Sequence, residues 1–225
     1  MIRGIVFDID DTLYLERDYV RSGFQHVARL LATSDVEALT IANWLLTAFN
    51  SGVRRDTFDQ LLAGHPELFA RATVADLVAA YRCHRPNIEP MPGVTAVLGR
   101  LRKNGLRLGA LSDGPLVSQE AKAEALILEE WLDPILLTAG HAGFGKPATA
   151  GFEWIAREWR LEADELAYVA DNPDKDFVGP RALGWRTVRI RLPGQIHYDA
   201  EPAGDDQRAD SEVPGLREAV DYLGS

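Results

Sequence analysis

The apolar positions change period along the chain, and each change marks an element. Ile5, Val6 and Phe7 form a short unbroken run rich in β-branched and aromatic residues, which predicts a fully buried strand. From Val20 the spacing becomes helical, through Phe24, Val27 and Leu31. Ser34 with Glu37 forms a capping-box pattern that starts a second helix through Val36, Leu39, Leu46 and Phe49, stopped at Gly52. Thr57 with Gln60 starts a short helix ended at Gly64, and Thr73 starts another through Leu77, Val78 and Tyr81. Residues 17–84 therefore read as helical, with no strand signal. The segment 85–93 carries three prolines and a glycine and cannot continue a helix. It reads as a return hinge.

Beyond it, helical and extended patterns alternate. Val94, Val97, Leu98 and Leu101 make a helix face closed by Gly105. Strands are expected at 106–111, 134–138, 166–170 and 187–190, with helices at 116–129, 150–159 and 177–183. Residues 193–210 read as a long polar loop, 211–213 as a last edge strand, and Leu216, Val220 and Leu223 as one face of a terminal helix. Strands alternating with helices predict an α/β fold with a parallel sheet covered on both faces. The domain organisation expected is a core of residues 1–16 and 86–225, with a helical domain of residues 17–85 inserted into it.

Composition narrows the partners. The 225 residues are enough for a sizeable core. The net charge of −10 argues against nucleic acid or an anionic membrane surface as the main partner. Cys83 is the only cysteine, so no intrachain disulfide forms, consistent with a reducing cytoplasm. No apolar run reaches membrane-spanning length, and Asp8 interrupts the N-terminal one too early for a signal peptide. The pattern carries no indication of oligomeric state.

The chemistry gathers where strands end. The first strand runs into Asp8, Asp10 and Asp11, three carboxylates within four positions. Like charges so close repel unless a cation neutralises them, and ligands of open α/β sheets bind at the carboxyl ends of strands. Asp8 and Asp10, two apart on an extended chain, point to the same side. One carboxylate can attack phosphorus and the other can act as general acid and base. Ser112, Asp113 and Gly114 follow a later strand and offer a hydroxyl and backbone N–H groups to an anion. Lys146 follows a glycine-rich loop, where its ammonium can offset negative charge. After the 166–170 strand comes Asp171-Asn172-Pro173-Asp174-Lys175-Asp176, a cluster of carboxylates whose hard oxygens suit Mg²⁺. Taken singly, each segment is also what an ordinary polar turn looks like.

Taken together and in this order, from Ile2 to about Leu192, they resemble the motifs of the haloacid dehalogenase-like (HAD) hydrolases. The resemblance implies a Rossmann-like core with the insert as a type C1 helical cap. It implies Asp8 as nucleophile, Asp10 as acid/base, and Lys146 as the third-motif lysine. Ser112 becomes the phosphate-binding hydroxyl, with Ile9, Asp113 and Lys146 also facing the phosphate. Mg²⁺ would be held by Asp8, Asp171, the backbone carbonyl of Asp10, and Asp176 through water. Ala170 stands where many members have glycine, a small change. An acid at position 10 favours phosphate ester hydrolysis, since the dehalogenase branch lacks one there. The expectation is therefore a cytoplasmic, Mg²⁺-dependent phosphomonoesterase acting on a small phosphorylated metabolite.

Three alternatives remain at this level. A 2-haloacid dehalogenase would release halide. A phospho-aspartate switch such as a response-regulator receiver domain would hold the phosphate, although its acceptor aspartate follows a later strand. A non-enzymatic binding member would keep the fold without turnover. Tyr14, Arg17, Tyr19, Arg21, Arg54 and Arg55 are the residues from which substrate choice is sought, in the insert and the segment entering it.

Overall fold

Gly4–Phe7 forms strand β1, buried along its whole length. In the computed structural model, which describes residues 1–224, the chain divides into two compact units. One comprises residues 1–17 with the chain from Glu89 onward, and the other is Asp18–Ile88.

The second unit is helical. It takes in most of α1 (Glu16–Leu31) and all of α2 (Asp35–Asn50), α3 (Thr57–Gly64) and α4 (Val74–Cys83), with a short 3₁₀ turn at Pro66–Ala70. Phe24 is its aromatic centre, edge-on to Phe49 and Phe58 and tilted against Tyr81. Gly23 is needed there, because a Cβ would lie 2.5 Å from the Tyr81 ring.

Caps follow the sequence with two shifts. Thr73 and Asp76 form the full reciprocal box. Ser34 Oγ accepts from the Glu37 N–H, but the Glu37 carboxylate takes the Thr33 N–H instead of closing the box on Ser34. Helix α3 begins one residue earlier than the Thr57/Gln60 pattern implies: Asp56 is the cap position, and its carboxylate accepts from Gln60.

The first unit is a six-stranded, fully parallel sheet in the order β3-β2-β1-β4-β5-β6. Its further strands are β2 (Arg107–Ser112), β3 (Ile135–Leu137), β4 (Leu166–Ala170), β5 (Arg186–Ile190) and β6 (Ser211–Val213). The helices are α5 (Val94–Lys103), α6 (Leu116–Ala125), α7 (Ala150–Trp159), α8 (Val178–Ala182) and α9 (Leu216–Leu223).

Alternation along the strands divides the core into two layers. Val6, Leu166, Tyr168 and Ala170 pack with Phe152, Ile155, Trp159, Phe177 and Trp185 on one face. Helices α5 and α9 contact each other and cover the sheet at β2 and β5.

Helix α6 ends at Ala125, earlier than the apolar spacing implies. Ile127 adopts the left-handed region (φ +51°) and a 3₁₀ turn follows at Leu128–Glu130. The loop at 193–210 contains one 3₁₀ turn, Asp205–Gln207, and is anchored through Gln195, which is 5% exposed.

Strand order decides what can meet. The strands leading to the three acidic or hydroxyl segments, β2, β1 and β4, lie side by side, with Phe7 registered between Ala110 and Val169. The order turns back between β1 and β4, which is where a doubly wound sheet opens a crevice at its carboxyl edge.

Candidate active site

Asp8 leaves β1 still bonded to its neighbour strand, its N–H donating to Val169 O at 2.9 Å. Its carboxylate is buried and accepts from Lys146 Nζ at 2.7 Å. The same ammonium lies 2.7 Å from Asp176 Oδ1 and donates to the Tyr168 hydroxyl at 2.9 Å. Tyr168 in turn donates to Leu111 O at 3.2 Å. The Lys146 loop is held down at Gly179, where a Cβ would lie 2.8 Å from Pro147 O. The glycines immediately before Lys146 make no such close approach: Gly145 would place a Cβ 3.8 Å from Asp113, while Gly143 serves the turn with φ +80°.

Asp8, Asp171 and Asp176 bring one carboxylate oxygen each to within 4.8 Å of one another, all buried. Three carboxylates thus face one ammonium. Burial pushes Asp8 up to about 6, against the pull of Lys146, and Asp176 adds to the rise. Asp171 is pushed well above the usual carboxylate range by burial, then by Asp176 and Asp8. Burial opposes the charge on Lys146 too, but Asp176 and Asp8 outweigh it and hold its ammonium well above the ordinary lysine value. Asp171 Oδ2 has no hydrogen-bond partner among the described residues. A buried, unpartnered carboxylate oxygen is costly, and this set of hard oxygens fits a divalent cation.

Asp10 lies outside that cluster. Lys122 Nζ reaches both its oxygens, at 2.7 and 2.9 Å, Gln119 Nε2 donates to Oδ2 at 3.0 Å, and the Tyr14 hydroxyl donates to Oδ1. Burial would raise its pKa, but the Lys122 charge and these donors hold it below the usual value. Nearby Glu16 is pushed up to about 8 by burial and by the Asp10 charge. What Asp10 has to offer a cation is therefore its backbone carbonyl rather than its side chain.

Ser112, the last residue of β2, is buried and donates to Gln119 Oε1 at 3.2 Å. Asp113 is a joint between loops. Its Oδ1 accepts from Thr138 Oγ1 at 2.7 Å and from the Lys146 N–H at 3.2 Å, and Lys175 Nζ lies 3.3 Å from Oδ2. With its side chain so engaged, its offer to an anion is the backbone N–H. Ile9 is fully buried and its carbonyl accepts from the Leu13 N–H at 3.0 Å, closing the turn that carries Asp10. Asp176 Oδ2 accepts from the Asn172 N–H at 2.9 Å, which fixes the acidic loop after β4.

Asp11, with φ +52°, is structural. Its carboxylate accepts from the N–H groups of Glu16 and Ile196, at 2.8 and 2.6 Å, and its carbonyl accepts from Gln195 Nε2 at 2.6 Å.

Lys122, Gln119 and Tyr168 escape sequence reasoning. Lys122 and Gln119 lie on what reads as an unremarked helix, and Tyr168 inside an apolar strand. Their only available signal is polarity at otherwise inward-facing positions. The hydroxyl of Tyr14, one of the residues from which substrate choice is sought, donates to Asp10. Arg54 is engaged in its own unit, over the Phe49 ring with its Cζ atom 3.9 Å from the centroid.

The family description "haloacid dehalogenase-like hydrolase" matches residues 2–184. The chain is 29% identical over 228 residues to the glyceraldehyde 3-phosphate phosphatase of Methanocaldococcus jannaschii, covering 99% of this chain and 97% of that protein. It is 31% identical over 236 residues to the protein of the same name from Methanopyrus kandleri, with the same coverage. Among solved structures, a HAD-hydrolase from Bacillus subtilis bound to magnesium superposes with a TM-score of 0.70, at 20% identity, over 100% of this chain and 99% of that one. This last likeness bears on the fold alone.

Proposed function

We propose, from the premise that the chain belongs to the haloacid dehalogenase-like hydrolases, that it hydrolyses phosphate monoesters of a small metabolite through an aspartyl-phosphate on Asp8. The observation that carries this reading is the buried meeting of Asp8, Lys146, Asp171 and Asp176, with a second aspartate, Asp10, held separately. Two carboxylates two residues apart in such different surroundings suit two different tasks.

Asp8 is the nucleophile. Its oxygen bonds to phosphorus as the bond to the ester oxygen breaks, and Asp10 delivers a proton to that departing oxygen. Water then attacks the phosphoryl group, Asp10 takes its proton, and the bond to Asp8 breaks. Lys146, 2.7 Å from Asp8 Oδ1, offsets charge on the nucleophile and on the phosphoryl oxygens. The Ser112 hydroxyl and the N–H groups of Ile9 and Asp113 hold the phosphate. The cation, Mg²⁺ on this reading, would be held by Asp8, Asp171, Asp176 and the Asp10 carbonyl. When bound, it supplies positive charge to the transferring group.

The names of the full-length relatives support a short phosphorylated substrate of the glyceraldehyde 3-phosphate kind. The inserted helical unit takes the part of a cap and the seat of substrate choice. A cytoplasmic setting is supported by the single cysteine, Cys83. Asp10 argues against carbon–halogen cleavage, which needs no proton donor for the leaving halide.

Phosphate release from glyceraldehyde 3-phosphate and from para-nitrophenyl phosphate, with and without Mg²⁺, tests the reading. The expected result is Mg²⁺-dependent turnover that falls to background in Asp8→Asn. Halide release from a 2-haloacid, or undiminished turnover in that variant, would overturn it.

A further inference from the structure

We infer that Lys122 is a positioning residue for the acid/base step, holding the Asp10 carboxyl group in the orientation from which it serves the leaving oxygen. The inference rests on the phosphomonoesterase reading above. Lys122 stands on α6, is 4% exposed, and contacts both oxygens of Asp10 across 112 residues of sequence. A buried lysine is rare unless it is paired, and here the ammonium straddles the carboxylate edge.

The clamp has two further members. Tyr14 donates to Oδ1, and Gln119 donates to Oδ2 while its own Oε1 accepts from Ser112. A carboxylate offers about four lone-pair sites, so these contacts occupy it fully. The side chain is confined to one rotamer before substrate arrives. When Asp10 carries the proton destined for the ester oxygen, that proton uses one lone pair and one donor yields. Lys122, bonded to both oxygens, can give up one and still hold the other. The proton leaves with the alcohol and is replaced from the attacking water, so the cycle closes with one water consumed.

This role makes a distinction that simple structural support does not. An alkyl phosphate needs its leaving oxygen protonated, whereas para-nitrophenolate departs without help. Misplacing a catalytic group by about 1 Å can cost roughly 10²-fold, and general acid assistance is worth about 10²–10⁴-fold. In Lys122→Met, kcat/KM for glyceraldehyde 3-phosphate should fall by about 10²-fold, and that for para-nitrophenyl phosphate by less than about threefold. Equal losses on the two substrates, in an enzyme whose wild type turns both over, would overturn the role while leaving the phosphatase reading intact. No turnover by the wild type would instead sink that reading.

Lys122→Met leaves Asp10 without its ion-pair partner, so a second comparison guards against a folding defect. Asp10→Asn and Asp10→Asn/Lys122→Met both avoid an unpaired buried carboxylate. If Lys122 acts through Asp10, the double variant should match Asp10→Asn in kcat/KM for para-nitrophenyl phosphate within about twofold. A further tenfold loss would show that Lys122 has a task of its own.

Discussion

Lys146 illustrates how strongly one side chain can be determined by others. Its ammonium is fully enclosed, with Asp8, Asp176 and Tyr168 as neighbours. Breaking a buried ion pair from one side leaves charge without compensation and typically costs about 3–5 kcal/mol. Lys146→Met should therefore lose about that much stability in urea at neutral pH, besides losing activity; a change below about 1 kcal/mol would mean the acids repack without it. Asp8, Lys146, Asp171 and Asp176, which the structure brings together, are legible as candidates because they follow strands or a glycine-rich loop, while the roles given to them and to Asp10 and Ser112 come from the family resemblance. Lys122 is not legible, because its meaning comes from a partner on another strand's turn. Gln119 meets Asp10 across 109 residues, a contact that no periodicity encodes.

At the level of elements, hydrophobic spacing located the helices and strands but not all their ends, since ends depend on single backbone conformations. Helix α7 and strand β4 run over the residues their patterns predict, while α6 stops early, at Ala125, just ahead of the left-handed Ile127. A β-branched residue in the left-handed region is strained by roughly 1–2 kcal/mol, and Ile127 is 52% exposed. Ile127→Gly should raise stability by about 1 kcal/mol in urea, the relief exceeding the added chain entropy of glycine. A loss would mean that its side chain packs productively.

The start of α2 provides a pH-dependent contact. Glu37 accepts from the Thr33 N–H and hydroxyl and pairs with Arg71, and these together pull its pKa down from 4.5 to about 2. Because the folded value is the lower one, the contribution is fully present above pH 4.5 and is lost as pH falls through 2. Wild type and Glu37→Gln should therefore differ in stability at pH 6 and converge toward pH 2, followed by circular dichroism. A gap independent of pH would show that charge plays no part.

For the molecule as a whole, strand order is what converts scattered motifs into one centre. The alternation of periods identified a parallel α/β sheet, but the adjacency of β2, β1 and β4 arises from pairings made between distant segments. Bringing Asp8, Asp171 and Asp176 together introduces repulsion into the folded state that the unfolded chain does not feel. A ligand that binds only the folded form stabilises it, by about 2.7 kcal/mol at 100 times its Kd. Mg²⁺ should raise the melting temperature of the wild type, EDTA should reverse the rise, and Asp171→Asn should show little of it. An equal rise in both proteins would move the cation elsewhere.

The bonds from Gln195 and Ile196 to Asp11 have a practical outcome for anyone trimming this protein. The family match stops at residue 184, so a truncation drawn at its border would discard both donors. The turn following β1 would then lose its outside bracing three residues from the nucleophile, and a fragment that looks whole by homology would carry a loosened reaction centre.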